Sequence, residues 1–518
     1  MPTERQHGGS ALLHIPLVTP GFRGLNTQQA SGILGPEWAT YLRNAVIDDN
    51  GRLSSRKGWT PLASSAVADN FVQITEYFKS DGTSTLVACS TTKLYESTNN
   101  GASWADITGA VSFTTGNWQF VNFNNQIWAA QAGFRPIVYD GTATFRVTTD
   151  TNAPTGGVIL AGFGRLWVTH VNGHSLGYSG LLDGDDWTTT SSGKVDMWTS
   201  WPGNDQIQAL AVFGGALVVF GRKSVVMWSD GAGSKLAIDP LTMYVVDIIS
   251  GTGCLAKHSV QLVDGDLWFL SDVGIQSLGR LVQERNNPIV NVSQHVQDYL
   301  RYALTYVDTT QIRAVYSPQD RLYLLSLPVG GSTAAGQSIV FDTRGKDQDG
   351  ANRCVGVWDG FVPTAVCATK DGLMIAALST VTGIVGKYYG TSDNGNAYTF
   401  QYESGWADLA QSYTVIPKRM VGVVYSSGTI ALTFKWAFDF QLSWDQSVKT
   451  FTGVVAGSEW ASGEWGTGEF GGDYALRSGT VAAKGSGKYV KVGLSTVINS
   501  SSVAIQQLDL YSKIGRLA

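Results

Sequence analysis

One short pattern returns seven times between residues 86 and 374: a polar or glycine turn, a brief gap, then an apolar pair that continues as a strand. It appears at Leu86-Val87 in SDGTSTLVACS, Ile127-Trp128 in FNNQIWAAQ, Leu166-Trp167 in GFGRLWVTH and Leu217-Val218 in VFGGALVVFG. It recurs at Leu267-Trp268 in LVDGDLWFLS, Leu322-Tyr323 in SPQDRLYLLS and Leu373-Met374 in TKDGLMIAAL. An apolar run such as WQFVNF, GVILAG or IQALAVF precedes the turn and supplies the first strand of a hairpin. Asn, Asp and Gly at the turn tolerate the positive φ that tight hairpins need. Successive pairs lie about 40 to 55 residues apart, the length of one four-stranded propeller blade. A single blade cannot bury both of its faces, so such units must pack on one another, and a ring removes the exposed ends. The pattern therefore predicts an all-β protein, with a six- or seven-bladed β-propeller over residues 71–405.

The flanks read differently. Residues 1–70 carry few strong strands and are expected to form an arm that packs on the C-terminal domain or on a neighbouring subunit. Within that arm, Trp38, Leu42 and Ala45 of PEWATYLRNAV fall at helical spacing behind Pro36, which predicts a short helix over 36–46. A second helix is predicted over 291–304, where Val292, Val296, Tyr299, Leu300 and Ala303 form a stripe and Ser293 offers an N-cap. Residues 406–518 alternate polar and apolar positions over longer runs, which predicts a separate antiparallel sheet or sandwich.

Composition agrees with strands. The 518 residues include 61 Gly, 17 Trp and only 15% charged residues, against roughly 25% in an average soluble protein. A formal net charge of -5 gives no global attraction for nucleic acid, and a neutral or acidic wall would let phosphates slide past it. The four cysteines, Cys89, Cys254, Cys354 and Cys367, are widely spaced and read as reduced thiols of a chain folded in cytoplasm. Residues 1–20 lack the apolar stretch of a signal peptide, and no run is long enough to span a membrane, so no membrane insertion is expected.

Motifs that bear chemistry are few. Ser97-Thr98-Asn99-Asn100-Gly101-Ala102-Ser103-Trp104 resembles the Asp-box turn of β-propellers, S/T-x-D-x-G-x-x-W, with Asn99 in the acidic place. Thr391, Asp393, Gly395 and Tyr398 form a weaker copy. Such turns report architecture rather than catalysis. Asp183, Asp185 and Asp186 in LLDGDDW read as a polar hairpin loop rather than the paired carboxylates of a glycosidase. His170 and His174 lack a third nearby ligand, so no metal is expected. With no GxSxG, P-loop or HExxH motif, the sequence predicts no catalytic residue and no cofactor. Trp460, Trp465 and Phe470 recur every five residues in GSEWASGEWGTGEFGG and are expected to pack under the C-terminal sheet or between subunits.

An ordered set of motifs resembles a known family. Gly21-Phe22-Arg23-Gly24-Leu25-Asn26-Thr27, then Pro36-Glu37-Trp38-Ala39 with Leu42-Arg43-Asn44, then Gly51-Arg52-Leu53-Ser54-Ser55-Arg56-Lys57-Gly58-Trp59 resembles the opening of tail nozzle proteins of short-tailed bacteriophages. These are also called packaged-DNA stabilisation or head-closure proteins. The Trp repeat of residues 459–470 and the ending IQQLDLYSKIGRL (Ile505 to Leu517) are similar to that family's C-terminal part. The resemblance implies a non-enzymatic virion protein, assembled in host cytoplasm as a ring, typically a hexamer, below the portal and adaptor proteins. It would extend the channel for double-stranded DNA, without sequence-specific binding, and retain the genome until ejection. The alternatives are a sialidase-like glycoside hydrolase and a carbohydrate- or receptor-binding propeller.

Overall fold

A computed structural model describes residues 12–517, apart from 19–21, 36, 64–65, 113, 115–116, 200, 202–204, 231–237, 284–290, 329–335, 347–350, 409–412 and 453–474. The chain divides into two compact units, one of residues 60–352 and 359–388, the other of residues 1–59, 353–358 and 389–518. The propeller unit thus begins before residue 71 and ends before residue 405, and residues 353–358 leave it for the second unit. The segment expected as an arm belongs to the same unit as the C-terminal strands.

The propeller unit contains seven antiparallel blades in succession, six of them separate sheets of three or four strands and the sixth the first part of an 11-stranded sheet. The first blade orders Phe71–Phe78, Ser84–Ser90, Leu94–Ser97 and Ala105–Asp106 from inside to outside. The second to fourth blades begin at Gln119–Phe123, Ile159–Gly162 and Ala209–Phe213, and each has four strands. In the fifth, Gln261–Val263, Asp266–Ser271 and Gly274–Ser277 are followed by the short helices Leu278–Gln283 and Gln297–Leu304. The sixth begins with Arg313–Ser317, and the seventh orders Pro363–Ala368, Met374–Leu378, Val385–Tyr388 and Trp59–Pro61. First strands of successive blades touch around the unit, except that the fourth blade's meets the fifth through the turn Lys257–Ser259, and the seventh blade's first strand packs on that of the first blade. The ring is closed, and a segment from before the first blade supplies the last blade's outer strand.

All seven repeats of the turn-plus-apolar-pair pattern occupy the same place, the second strand of a blade or its lead-in. That strand is covered on both faces by neighbouring blades, which is why its burial is nearly continuous rather than alternating. The large rings fill the spaces between blades. Trp128 joins Phe123, Ile159, Leu166 and Val168 between the second and third blades, and Trp167 joins Leu210, Leu217 and Trp228 between the third and fourth. The turns before these strands carry the expected left-handed residues, with φ of 58° at Asn125 and 48° at Asp264.

Two expectations about helices need correction. Trp38–Arg43 is a strand, parallel to Gly24–Leu25 and antiparallel to Tyr398–Ser404. Three apolar positions in a short run fit either period, and Trp, Thr and Tyr favour a pleated surface paired on both sides. Asn44, at φ 53°, ends this strand and starts Ala45–Ile47. The later helix is a 3-10 turn, Gln294–Val296, followed by Gln297–Leu304, which buries Val292, Val296, Leu300 and Ala303 as expected. Ser293 does not cap it. Its hydroxyl accepts from the Ile275 N–H at 2.9 Å and ties the turn to the fifth blade.

In the second unit, the long strand Val503–Leu517 lies between Tyr413–Ser426 and, at its start, Leu53–Ser55, with Leu13–Val18 also paired to it. Tyr398–Ser404, Tyr489–Ile498, Ile430–Phe438 and Asp445–Phe451 form a second antiparallel run beside Trp38–Arg43.

Packing between blades tolerates little change. An ideal Cβ on Gly184 would lie 2.5 Å from the fully buried Trp128 ring. Gly184→Ala is expected to destabilise the propeller by about 1–3 kcal/mol through overpacking. Trp128→Ala should cost about 3–5 kcal/mol through the cavity it leaves. Chemical denaturation of the two variants measures both.

Candidate functional site

The first Asp-box-like turn joins the third and fourth strands of the first blade. The Ser97 hydroxyl donates to Asn99 Oδ1 at 2.9 Å and accepts from the Gly101 N–H at 2.8 Å, and Asn99 Oδ1 also accepts from the Ser103 N–H at 2.9 Å. Positive φ at Asn100 and Gly101 completes the turn, and Trp104 lies against Phe71 with ring centroids 5.0 Å apart. The amide of Asn99 thus accepts the backbone bond expected of the acid it replaces. Trp460, Trp465 and Phe470 lie outside the described residues.

The second copy is not a blade turn. Thr391, Asp393, Gly395 and Tyr398 belong to the second unit, and the Asp393 carboxylate is taken by Arg56. The Arg56 guanidinium donates from Nη2 to Oδ2 at 2.6 Å and from Nη1 to Oδ1 at 2.9 Å, and from Nε to Asn44 Oδ1 at 3.0 Å. It lies 4.0 Å from the Tyr398 ring centroid, while the Tyr398 hydroxyl donates to the Arg56 carbonyl. Asn44 Nδ2 donates to the Thr399 carbonyl at 2.8 Å, and Gly58 approaches Ser392 so closely that a Cβ would meet its carbonyl oxygen at 2.2 Å. Three distant stretches of sequence therefore meet at one buried arginine. The function of this centre is positional, because the guanidinium itself is only 1% exposed.

The carboxylates of Asp185 and Asp186 are already occupied, the first by residues at the end of the second blade and the second by its own loop. Asp185 accepts from Arg146 at 3.2 and 2.6 Å, from the Thr148 hydroxyl at 2.8 Å and from the Thr149 N–H at 3.0 Å. Burial pushes its carboxyl up, but these bonds outweigh burial and leave it below its ordinary range. Asp186 likewise accepts the Thr188 and Thr189 N–H groups. Neither is poised as a general acid. No group of three metal-ligating side chains occurs among the described residues. His174 packs edge-on against Trp198, at 4.8 Å between ring centroids. Cys89, Cys254 and Cys354 are buried free thiols, and burial raises them to about 12, 11 and 12.

Two cavities lie within single units. One of about 360 Å³ in the second unit is lined by Thr399, Ile430, Thr433, Val497 and neighbouring hydroxyl-bearing residues, with no titratable group. The other, of about 450 Å³, opens where the innermost strands of the propeller begin. Asn117 precedes the second blade, Gly156 and Gly157 the third, Gln208 the fourth, Lys257 the fifth, and Thr309 and Thr310 the sixth. Here lies a group that the sequence reading missed. Lys257 Nζ donates to the Asn117 and Gly157 carbonyls, both at 2.6 Å, and His258 Nε2 meets Asn117 Oδ1 at 2.6 Å. Arg313 donates to the Val72 carbonyl at 3.2 and 2.9 Å, and to those of Thr310 and Ile312. These bonds join the fifth blade to the second and third, and the sixth to the first. Links between non-adjacent blades cross the propeller axis. The available signal was a Lys-His pair and an Arg at the starts of otherwise apolar inner strands.

The axial cations are held without ion-pair partners. No carboxylate lies within ion-pair distance of Lys257 or Arg313 among the described residues. Asp308, which acts on Arg313 from farther away, spends one oxygen on the Thr310 N–H and hydroxyl. Burial, followed by the charge of Arg313, pushes Lys257 down to about 7, and burial holds His258 neutral.

Comparisons with known proteins identify no family. No family model matches the chain, and no curated protein matches it. Among solved structures, the Cps50 (Swd1) β-propeller domain of Myceliophteria thermophila aligns over 64% of this chain and 98% of its own, at 10% identity and a TM-score of 0.35. YCF48 from Cyanidioschyzon merolae gives 64%, 98%, 10% and 0.38 on the same measures. The extracellular domain of a putative one component system from B. thetaiotaomicron covers 79% of this chain and 58% of its own, at 11% identity and 0.40. The class is a β-propeller with an additional sheet unit. No helix among the described residues is long and apolar enough to cross a membrane.

Two outcomes test these centres. Arg56→Lys keeps the charge but loses the planar fork, and is expected to cost about 3 kcal/mol in chemical denaturation. Lys257 sheds its proton near 7 when folded but near 10.5 when unfolded. The unfolded chain therefore binds more protons between those values, and this group's contribution to stability rises with pH across that window. Thermal melts at stepped pH should show that rise in the parent and its loss in Lys257→Met.

Proposed function

We propose that this chain is a structural tail protein of a short-tailed bacteriophage. In this reading it is a nozzle subunit that forms a ring, typically a hexamer, below the portal and adaptor. The carrying observation is the convergence of the family-like motifs. Leu53 and Ser54 of the GRLSSRKGW segment pair with Ile505 and Ala504, where the IQQLDLYSKIGRL ending begins. Arg56 of the same segment binds Asn44 of the Leu42-Arg43-Asn44 motif. Gly24 and Leu25 of the first motif pair with Trp38 and Ala39 of the second. Motifs that are loose singly thus form one connected framework, as residues with a shared architectural role would.

The surface supports assembly. Tyr244–Ser250 is the outer edge of the fourth blade, and Tyr244, Val246 and Ile248 on its outward face are 52%, 51% and 42% exposed. An apolar edge strand is costly to leave in water and suits side-to-side contact between rigid wedges. DNA in this reading passes between copies around a common axis, since Lys257 and Arg313 bridge the propeller's own axis. The mildly acidic charge of the chain suits a wall that lets DNA slide. The enzymatic alternative gains no support from LLDGDDW, where Asp185 is occupied by Arg146, Thr148 and Thr149 and Asp186 by its own loop.

Gold-labelled antibody against this chain, imaged on purified particles, is expected to mark a ring at the tail below the portal. Label on the capsid or none on the particle overturns the reading. So does cleavage of a fluorogenic glycoside panel that a single carboxylate substitution abolishes.

A further inference from the structure

The cavity at the end of the propeller axis has a one-sided chemistry. Its wall carries the hydroxyls and amides of Thr114, Asn117, Gln208 and Thr309, and its titratable groups are Lys257 and His170, the latter held below its ordinary range by burial. No Asp or Glu is among its lining residues. Arg313 begins the innermost strand of the next blade and adds a second cation that no carboxylate pairs with. Both cations rest on backbone carbonyls, whose dipoles offset only part of the cost of removing charge from water. The bond inventory of Lys257 leaves room for more. Two of its N–H groups reach the Asn117 and Gly157 carbonyls. A neutral amine has no third proton to place, whereas the ammonium has one, and no acceptor among the described residues receives it.

We propose that this axial cavity is a binding site for a small oxyanion, with the protonated Lys257 as its principal donor and Arg313 as the supporting charge. A sulfate-, phosphate- or carboxylate-bearing solute would accept the third N–H of Lys257, supply the missing countercharge and find hydroxyl and amide donors around it. A volume of about 450 Å³ falls in the range of small-molecule sites. Bound anion would tie the blades that Lys257 and Arg313 already bridge, making the propeller stiffer when occupied. Binding is linked to proton uptake, because Arg313 is charged throughout whereas Lys257 has a third N–H to offer only when protonated, and folding alone favours the neutral amine. The proposal stands independently of the phage reading.

Isothermal titration of the full chain with sodium sulfate, inorganic phosphate and sodium malonate at constant ionic strength tests it, with sodium chloride as the control. Sulfate stays fully ionised throughout, so its pH dependence belongs to the protein. The expected result is one saturable site per chain, with affinity for sulfate about tenfold or more tighter near about pH 6.5 than near about pH 8.5. The observed heat should vary with the ionisation enthalpy of the buffer at about pH 7.5, which reports proton uptake without any variant. Lys257→Met, checked for fold by circular dichroism, should lose the binding at least about tenfold. Response to phosphate or malonate but not sulfate would narrow the ligand to that chemistry. Overturning results are no saturable heat with any of the three oxyanions, equal binding by folded Lys257→Met, or heats that show no proton uptake.

Discussion

A four-stranded blade has two apolar faces, and each second strand here is buried on both. That constraint governs the larger unit. Linear stacking would leave one face bare at each end of the row, at about 25 cal/mol for every Å² of apolar surface. Closing the row on itself removes both ends at once. The contact between Pro363–Ala368 and Phe71–Phe78 makes that closure, and Thr364 reinforces it by donating to the Phe71 carbonyl at 2.8 Å. Trp59–Pro61 then joins the last blade from the other end of the sequence. Cohesion therefore comes from apolar rings between blades, while the few buried cations set what happens at the axis.

Three buried cations bridge separate stretches of the chain. Arg56 draws together Asn44, Asp393 and Tyr398 in one unit, and Lys257 and Arg313 draw together non-adjacent blades in the other. The two cases differ in compensation. Arg56 has a bidentate carboxylate and an aromatic face, so its charge is matched within the chain. The axial cations have only carbonyls, so theirs is not, and this asymmetry separates a framework residue from a candidate for binding something else.

The propeller was legible because a strand covered on both faces leaves a nearly unbroken apolar run after a turn. All seven such runs fall on second strands, and the even spacing followed from the ring. The segment Trp38–Arg43 was misread as helix because six residues with Trp, Thr and Tyr carry too little period to oppose pairing with strands remote in sequence. Thr391–Tyr398 kept the spacing of an Asp-box, yet nothing local indicates that Asp393 answers to Arg56, 337 residues away. Lys257 and Arg313 went unremarked for the same reason. Each is a lone cation in its own stretch, and only the circular arrangement of blades turns the two into a cluster.

The second unit has a consequence for how the protein is made. Its early strands Trp38–Arg43 and Leu53–Ser55 are joined by backbone bonds to partners such as Tyr402 and Ile505, which leave the ribosome only after the whole propeller has been synthesised. Native pairing of the earliest segment must therefore await the latest one, a pattern of long sequence separation that slows folding. During translation the blades can mature one after another, while the opening residues wait with their strand-forming edges exposed. Since the outer strand of the last blade comes from the end of that same opening segment, the nascent ring also stays unlatched for much of synthesis. The chain is interleaved, since the second unit is drawn from both sides of the propeller and from residues 353–358 within it.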